Sequence, residues 1–431
     1  MRPTSAISVL LVSCVISLNS CKPEQPDSLS IMSHATVAGT EIPVFDLGLL
    51  PDSAERIPLS EVFSKVDLVP LETSKECYIK NVMSSFTGHS WLIATQTDGL
   101  GPARVLEFGL DGKFIREIGR GGQGPGEHQG YYAQNMRFYP SDSILFIPFD
   151  GAYGLDESQI FSKQGQYLGY VKNPIDLTER IERLNDSTWM TPGNITGVPE
   201  MQRDSLMLVI YEKKGEILKI FPRQLYPRKV LSGYFSHGWG PSMLKSGSEW
   251  HFYNPGNDTL FQISPDRLIP LAVFHLGPKG ETYNDPVDGA KITGRYGIQI
   301  IAETHQHFLL QKILVTKADL QEYQPGRWGG MFTVDQSFIL IEKNSGKARH
   351  VKFTDDFTGI IPEFTMNYYA EFPENMQFLM VPQALDLLDW LKKPQIAEPK
   401  PAVRERQEFL RKNLTEMSNP VVFHYIFKED F

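Results

Sequence analysis

Cysteine is almost absent from this chain of 431 residues. Of the three cysteines, Cys14 and Cys21 belong to the N-terminal apolar segment, and only Cys77 lies beyond it. A single thiol cannot form an intramolecular disulfide, so stability has to come from a hydrophobic core. No obvious base lies near Cys77 in the sequence, which predicts a small buried residue rather than a nucleophile.

Positive charge is also in short supply. The chain has 42 Lys and Arg against 51 Asp and Glu, which gives a formal net charge of −9. A chain with this balance has no broad attraction to phosphate backbones, so nucleic acid is not an expected partner. The hydrophobic share of 41% is nevertheless large enough for a substantial core.

Long apolar runs are missing except at the start of the chain. Arg2 is followed by an apolar stretch from Ile7 to Leu18, which is too short to span a bilayer and is typical of a secretory signal. Leu18-Asn-Ser-Cys21 resembles the bacterial lipobox, in which the cysteine thiol is lipidated. We therefore predict a signal over residues 1–21, a lipid anchor at Cys21, and a tether with an N-terminal extension over 22–56.

Short alternating runs dominate from residue 57 onward and predict an all-β fold. Val105–Glu127 is the clearest unit, reading as a two-residue hairpin at Asp111-Gly112 followed by a glycine-rich connector. Similar turns at 165, 215, 266 and 346 follow at intervals of 53, 50, 51 and 80 residues. Repeats of about 40–50 residues are the period of propeller blades. The five hairpins and a terminal unit therefore predict a six-bladed β-propeller over residues 57–431.

Two insertions interrupt the repeat. Two strand-like segments, 296–304 and 307–315, are followed by a polar stretch from Thr316 to Gly330. This pattern predicts a blade with a long inserted loop. Apolar residues at helical spacing predict a short helical insertion in the last blade, over about 384–417, with Phe409, Leu410 and Leu414 on one face. Because a propeller must close its ring, Val66–Leu71 and Val421–Phe427 are predicted to share a blade.

The connector and blade motifs resemble known propellers. Phe108 to Glu127 is similar to the linker between NHL-repeat blades. Three further segments resemble those of six-bladed β-propeller lipoproteins of the Bacteroidetes type. They are Leu68-Val-Pro-Leu-Glu-Thr73, Asp258-Thr-Leu-Phe-Gln-Ile263 and Asn419-Pro-Val-Val-Phe-His-Tyr425. The resemblance implies a fold and an outer-membrane location, with exposure at the cell surface left open. It implies no settled biochemical role.

Candidate binding residues come from loops. Gly119-Arg-Gly-Gly-Gln-Gly124 matches a dinucleotide fingerprint, but no helix pattern follows, so the glycines are better explained by the turn between blades. Aromatic and charged residues on glycine-rich loops are suited to recognition, with burial or solvated loop as the simpler alternative. The candidate ligand-binding residues are Arg120, Gln123, Glu127, His237, Trp239, Arg295, Tyr296 and Arg327.

Signatures of catalysis are absent. The sequence has no nucleophile elbow, H-E-x-x-H, Walker loop or C-x-x-C pair. Glu303, His305 and His307 are spaced two residues apart and would lie on the same side of a strand, as ligands of a metal site could. A solvated strand face is the preferred interpretation. Neither a metal nor a cofactor is predicted. We expect a monomeric module that binds a glycan fragment, small molecule or protein at the axial face of the propeller. The alternative is a hydrolase or lyase with an axial site, with or without assistance from a metal.

Overall fold

The computed structural model describes most of the chain beyond the signal and tether. The described residues are 29–87, 89–95, 104–122, 127, 137–139, 144–148, 157–162, 164–172, 181–192, 206–222, 242–254, 258–280, 293–324, 327–361, 364, 377–393, 400–429 and 431. The predicted signal, Cys21 and the first part of the tether lie outside these ranges. No helix within the described ranges is long and apolar enough to cross a membrane.

The first five strands precede the repeated blades. They are β1 (Leu29–Ser30), β2 (Met32–Val37), β3 (Thr40–Asp46), β4 (Glu55–Pro58) and β5 (Phe63–Pro70). Two short 3-10 helices, Leu47–Leu49 and Leu59–Glu61, separate the last three strands.

Three antiparallel four-stranded blades follow, and in each the strands pair in chain order. The first contains β6 (Val82–Thr87), β7 (Trp91–Thr95), β8 (Arg104–Phe108) and β9 (Phe114–Glu117). The second contains β10 (Arg137–Tyr139), β11 (Ile144–Pro148), β12 (Glu157–Ser162) and β13 (Tyr167–Lys172). The third contains β14 (Glu182–Arg183), β15 (Thr188–Pro192), β16 (Leu206–Glu212) and β17 (Ile217–Pro222).

The fourth and fifth blades have the same four-stranded core. The fourth contains β18 (Ser242–Ser246), β19 (Glu249–Tyr253), β20 (Thr259–Ile263) and β21 (Leu268–His275). The fifth contains β22 (Tyr296–Glu303), β23 (His307–Gln324), β24 (Arg327–Glu342) and β25 (Lys347–Thr354). Ser242 on β18 bonds the Ile300 amide on β22, so the first strands of successive blades adjoin. We call the last strand of each blade its outer strand.

Residues 29–58, here called the N-terminal belt, lie along two outer strands. β3 pairs in parallel with β21, and β2 pairs with β3. β4 pairs in parallel with β25, and β1 also pairs with β25. Arg349 of β25 bonds both Glu55 and Glu61, which fastens the belt and the residues that follow it. The predicted N-terminal extension therefore completes two blades as six-stranded sheets.

A three-stranded sheet joins the two ends of the described chain. β26 (Gln377–Met380) pairs with β27 (Val421–Phe427), and β27 pairs with β5 in a register that places Val66 opposite Tyr425. The predicted pairing of the two terminal segments is confirmed. Helices α1 (Ala384–Lys392) and α2 (Pro401–Asn413) lie between β26 and β27, which confirms the helical insertion. On α2, Leu410 is buried but Phe409 is 41% exposed, so the predicted apolar face is only partly right.

The structure confirms an all-β propeller arrangement but corrects the blade count. Five described sheets have the four or more strands of a full blade, rather than the six that were predicted. The closing sheet has three described strands, and the chain between β26 and β27 forms two helices. The five recurring turns match the five full blades, and the predicted sixth blade came from counting the terminal unit, whose sequence favours β-strands as a blade does.

The polar stretch from Thr316 to Gly330 is not an inserted loop. β23 and β24 continue past the blade as one long hairpin, with pairs from Lys317 opposite Thr333 to Gln324 opposite Arg327. Paired backbone groups satisfy one another even where the side chains are polar, so a polar sequence can still form a projecting ribbon.

The repeated turn glycines join neighbouring blades. Gly112, Gly165 and Gly215 have φ of 82°, 83° and 83°, and each donates its N–H to the carbonyl three residues earlier at 2.8 Å. The Asp111-Gly112 turn is thus longer than the predicted two-residue hairpin, with glycine in the left-handed position. The Glu72 amide bonds the Gly112 carbonyl at 2.8 Å, and the Lys172 amide bonds that of Lys213 at 2.9 Å. The turn at Gly112 therefore packs on the end of β5, and the turn at Gly215 packs on the end of β13.

The closing sheet and the helices share an apolar core with the fifth blade. Phe63 lies at its centre, with ring centroids 5.2 Å from Tyr425 and 4.6 Å from Phe427. Leu387 of α1 and Leu410 of α2 belong to the same cluster. Burial of these side chains holds the helices against the sheet and the sheet against the blade.

Candidate functional site

The glycine-rich connector places Arg120 and Glu127 near each other. Arg120 Nε lies 3.9 Å from Glu127 Oε1, and the Arg120 side chain is 84% exposed. An ion pair at this distance and exposure contributes little to stability. The Glu127 carbonyl accepts a hydrogen bond from Gln159 Nε2 at 3.0 Å, which ties the connector to β12. Gln123 lies outside the described residues, so this part of the predicted site remains a prediction.

Arg295 and Tyr296 are held by backbone carbonyls at the start of the fifth blade. Arg295 Nη1 donates to the Pro278 carbonyl at 2.6 Å, and Tyr296 OH donates to the Leu276 carbonyl at 2.5 Å. Tyr296 is only 4% exposed, and burial raises its pKa above the usual value. Lys312 Nζ lies 4.4 Å from the centroid of the Tyr296 ring. The structure thus places Tyr296 in the interior.

The remaining candidates do not meet at one described site. Arg327 begins β24 and pairs with Gln324 near the tip of the projecting hairpin, whereas Tyr296 pairs with Leu314 at the hairpin base. His237 and Trp239 lie outside the described residues. Their predicted role in ligand binding remains a prediction.

Glu303 joins two blades instead of seeding a metal site. It ends β22, and its Oε2 lies 2.6 Å from His251 Nδ1 of β19, while its Oε1 accepts from Lys343 Nζ at 2.6 Å. Burial alone would raise the pKa of Glu303, but the partnership with His251 and Lys343 outweighs burial and lowers it. Within the described ranges, no group of three His, Cys, Asp or Glu could hold a metal ion.

A second buried polar group lies under the N-terminal belt. Ser337 Oγ is 2.8 Å from His350 Nε2, and His350 Nδ1 is 2.8 Å from the Pro51 carbonyl. Ser337 and His350 are 5% and 6% exposed. A Ser–His hydrogen bond also occurs between a nucleophile and its base. Here the second nitrogen of the imidazole is bound to the belt, so the geometry supports a role in fastening the belt to the fifth blade.

We expect stability to fall in mild acid because of His350. Burial, and then the charge of Lys312, lower its pKa below the usual value. The unfolded chain therefore binds this proton first, and the stability contributed by neutral His350 is present above the unfolded pKa of about 6.5. It is lost as pH falls from there through the lower folded pKa. Denaturant titrations between pH 5 and 8 measure the slope.

His350→Asn keeps a donor for Pro51 but cannot titrate, so it should flatten the stability profile between pH 5 and 6.5. His305→Asn, at an exposed turn, is the matched control and should keep the wild-type profile. An unchanged profile in His350→Asn would show that His350 is not the group responsible.

An exposed apolar surface lies on two neighbouring outer strands. We call it the apolar rim, and each of its residues is between 39% and 48% exposed. The apolar rim consists of Tyr167, Leu168 and Tyr170 of β13, and Ile217, Leu218 and Ile220 of β17. Ile115 on β9, the outer strand of the first blade, is also 50% exposed. Exposed aromatic and aliphatic side chains grouped on neighbouring strands are a candidate site for another macromolecule.

Comparison with the other outer strands shows what distinguishes the rim. The outer strands that the belt covers, β21 and β25, have one exposed residue each. In β17, five of six residues are exposed, and in β13 four of six. Among the described residues, β13 and β17 each pair on one side only. The belt therefore protects the outer edges of two blades. Within the described part of the chain β9, β13 and β17 all lack this cover, and β13 and β17 differ from β9 in having most of their residues exposed.

Sequence reasoning missed both the belt and the rim. The signal for the rim was present in Ile217-Leu218 and Tyr167-Leu168, where apolar residues stand next to each other instead of alternating. Adjacent residues of a strand point to opposite faces of the sheet. A strand with apolar residues on both faces therefore either has both faces buried or leaves one apolar face exposed. The sequence by itself does not distinguish these cases.

Taken together, the ring of antiparallel blades defines a β-propeller. The sequence profile of the family described as Domain of unknown function (DUF4934) matches residues 42–425, so the chain belongs to that family. The match begins within β3 and ends within β27, so it includes the later part of the belt together with the propeller. No curated protein matches the sequence significantly.

Two solved structures are similar to this chain. A protein of Bacteroides fragilis NCTC 9343, described as exported, aligns with a TM-score of 0.61 and 15% identity, over 90% of this chain and 99% of its own. A member of the DUF4221 family from Bacteroides vulgatus ATCC 8482 aligns with a TM-score of 0.48 and 12% identity, over 85% and 97%. At these identities the first supports the shared fold alone, and the second is too distant to support an argument.

Proposed function

We propose that this protein is an interaction module of the cell envelope that binds another protein through the apolar rim. The observation that carries the proposal is the exposure of six aromatic and aliphatic side chains on two adjacent outer strands. Removing partly exposed apolar side chains from water lowers the free energy, so burial by a partner favours binding. Glycans and small molecules are usually bound in concave sites with convergent polar groups, so the rim favours a protein among the three partner classes.

The envelope location rests on the sequence at the N-terminus. The apolar segment and Cys21 in its lipobox-like setting support a lipid anchor, and an outer-membrane position is the location that the resemblance implied. The similar B. fragilis protein is described as exported, which agrees with a position outside the cytoplasm. Cys21→Ser should release the protein from the membrane fraction, and unchanged fractionation would refute the anchor.

The interaction proposal is tested by matched substitutions at equally exposed leucines. Leu218 of the rim and Leu385 of α1 are both 48% exposed. A photo-reactive residue at 218 in intact cells should give a discrete adduct that mass spectrometry identifies, and one at 385 should not.

Binding of the purified adduct partner then gives the size of the effect. Leu218→Asp should weaken binding at least tenfold, which is about 1.4 kcal/mol, whereas Leu385→Asp should leave it unchanged. The proposal fails if position 218 gives no discrete adduct, or if the two substitutions weaken binding equally.

A further inference from the structure

The belt demonstrates how an outer strand of this propeller accepts an additional strand. β3 lies parallel to the C-terminal end of β21, with Val44 opposite Val273 and Phe45 opposite Phe274. β4 lies parallel to the C-terminal end of β25, with Ile57 opposite Phe353. Two successive blades therefore add an extended segment in the same direction and at the same end of the outer strand.

The two additions also share their side-chain chemistry. In both, a buried phenylalanine of the outer strand faces a buried apolar residue of the added strand. Phe274 is fully buried opposite Phe45, also fully buried, and Phe353 is 4% exposed opposite Ile57 at 2%. Main-chain pairing supplies the affinity in such additions, and the facing apolar pair fixes the register.

β17 ends in the same way, and no strand among the described residues is added to its outer edge. Its Ile220-Phe221 corresponds in position to Val273-Phe274 of β21, and Phe221 is 7% exposed while Ile220 is 41% exposed. Within the described part of the chain, β17 pairs with β16 alone. An unpaired edge with apolar neighbours is a template for another strand. Lys219 is the one charged residue on β17.

We propose that the edge of β17 binds an extended segment of a partner protein, parallel to β17, with a large apolar residue of that segment opposite Phe221. This inference rests on the proposed function and specifies its binding mode. The partner segment resembles the belt strands in chemistry, with an apolar residue at the position equivalent to Phe45 or Ile57. Two copies of this chain meeting through β17 about a twofold axis would instead pair identical strands antiparallel.

The test uses the full mature chain and a synthetic peptide of residues 40–46, Thr-Glu-Ile-Pro-Val-Phe-Asp. In the protein β3 already occupies β21, so the peptide probes the remaining edges. We expect hydrogen exchange of the amides in residues 217–221 to slow at least tenfold at saturation. The peptide with Phe45→Asp should bind at least tenfold more weakly by fluorescence anisotropy.

Two controls separate strand pairing from apolar adhesion. Peptides N-methylated at alternate residues, in each of the two phases, keep their side chains, and the phase that blocks the pairing edge should abolish binding. Ile220→Asp in the protein should weaken binding at least tenfold, whereas Leu385→Asp, at an exposed leucine of α1, should not change it.

Several outcomes would overturn the inference. They are protection confined to residues outside 217–221, equal binding of both methylated peptides, no binding up to the solubility limit, or a dimer by light scattering that Lys219→Pro dissociates. If the peptide fails while position 218 still gives an adduct in cells, strand addition is refuted and the interaction module stands. If both fail, the proposed function is refuted as well.

Discussion

Asn419→Ala is expected to destabilise the protein by about 3 kcal/mol or more. The Asn419 side chain is fully buried two residues before the start of β27, and it bonds three backbone groups of the segment that follows β5. Its Oδ1 accepts from the Ile79 amide at 2.8 Å, and its Nδ2 donates to the carbonyls of Glu72 at 2.6 Å and Cys77 at 2.8 Å. Alanine would leave these groups without their partner.

The magnitude follows from the cost of unpaired buried groups. Each buried donor or acceptor left unsatisfied costs about 1–3 kcal/mol, and Ile79 and Cys77 are both buried. The loss is also non-local, because Asn419 lies 340 residues from Ile79 and the bond fastens the two ends of the described chain. A ring that loses this connection should separate first at the closing sheet.

Urea denaturation of the two purified variants measures the effect. Asn413→Ala is the control, since Asn413 is an exposed residue at the end of α2 whose side chain bonds only the Phe409 carbonyl in the described structure. We expect it to cost less than about 1 kcal/mol. Equal midpoints for the two variants would show that Asn419 does not fasten the ends.

Gly112→Ala should lower the free energy of unfolding by a similar amount, because Gly112 also packs against the closing sheet. A Cβ at position 112 would lie 2.2 Å from the Pro70 carbonyl oxygen and 3.0 Å from Val69 Cγ1, both on β5. The glycine also has φ of +82°, which costs other residues about 1–2 kcal/mol. Overpacking against a fixed backbone adds about 1–3 kcal/mol. We therefore expect a total loss of about 3 kcal/mol.

Gly247→Ala separates the two contributions. Gly247 has φ of +61°, and a Cβ there would meet no atom within 4 Å. Its substitution should cost only the backbone term, about 1–2 kcal/mol. If Gly112→Ala proves no worse than Gly247→Ala, the turn does not pack on β5 as the structure has it.

The recurring turns and the terminal pairing were accessible from sequence because each depends on local signals. Gly112 and Gly165 lie between segments of alternating apolar residues. Val421–Phe427 has a sequence that favours a strand, and it lies near the C-terminus, where a propeller ring must close. The helices were accessible for the same reason, through apolar residues at helical spacing around Leu387. The polar hairpin of β23 and β24 was not, since its pairing depends on register rather than on an apolar pattern.

The candidate site was much less accessible. Arg295 and Tyr296 were chosen for their chemistry, and the structure shows that Tyr296 is buried beside Lys312. The exposure of a side chain depends on how the blades and the belt pack against each other, and the local sequence pattern does not determine it. The rim residues Leu168 and Leu218 are ordinary strand residues until the absence of a covering strand in the described structure leaves them in water.

The sequence by itself determined that this chain forms repeated hairpins, closes through its terminal strands and carries two helices near its end. These follow from short-range periodicity, glycine at left-handed turns and the strand propensity of the ends. Tertiary structure alone decided that the belt covers β21 and β25, although β3 lies more than 200 residues from β21. Main-chain hydrogen bonds can form at any open strand edge, and the apolar pairs that fix the register meet only after folding, so only the folded ring decides which edge is covered.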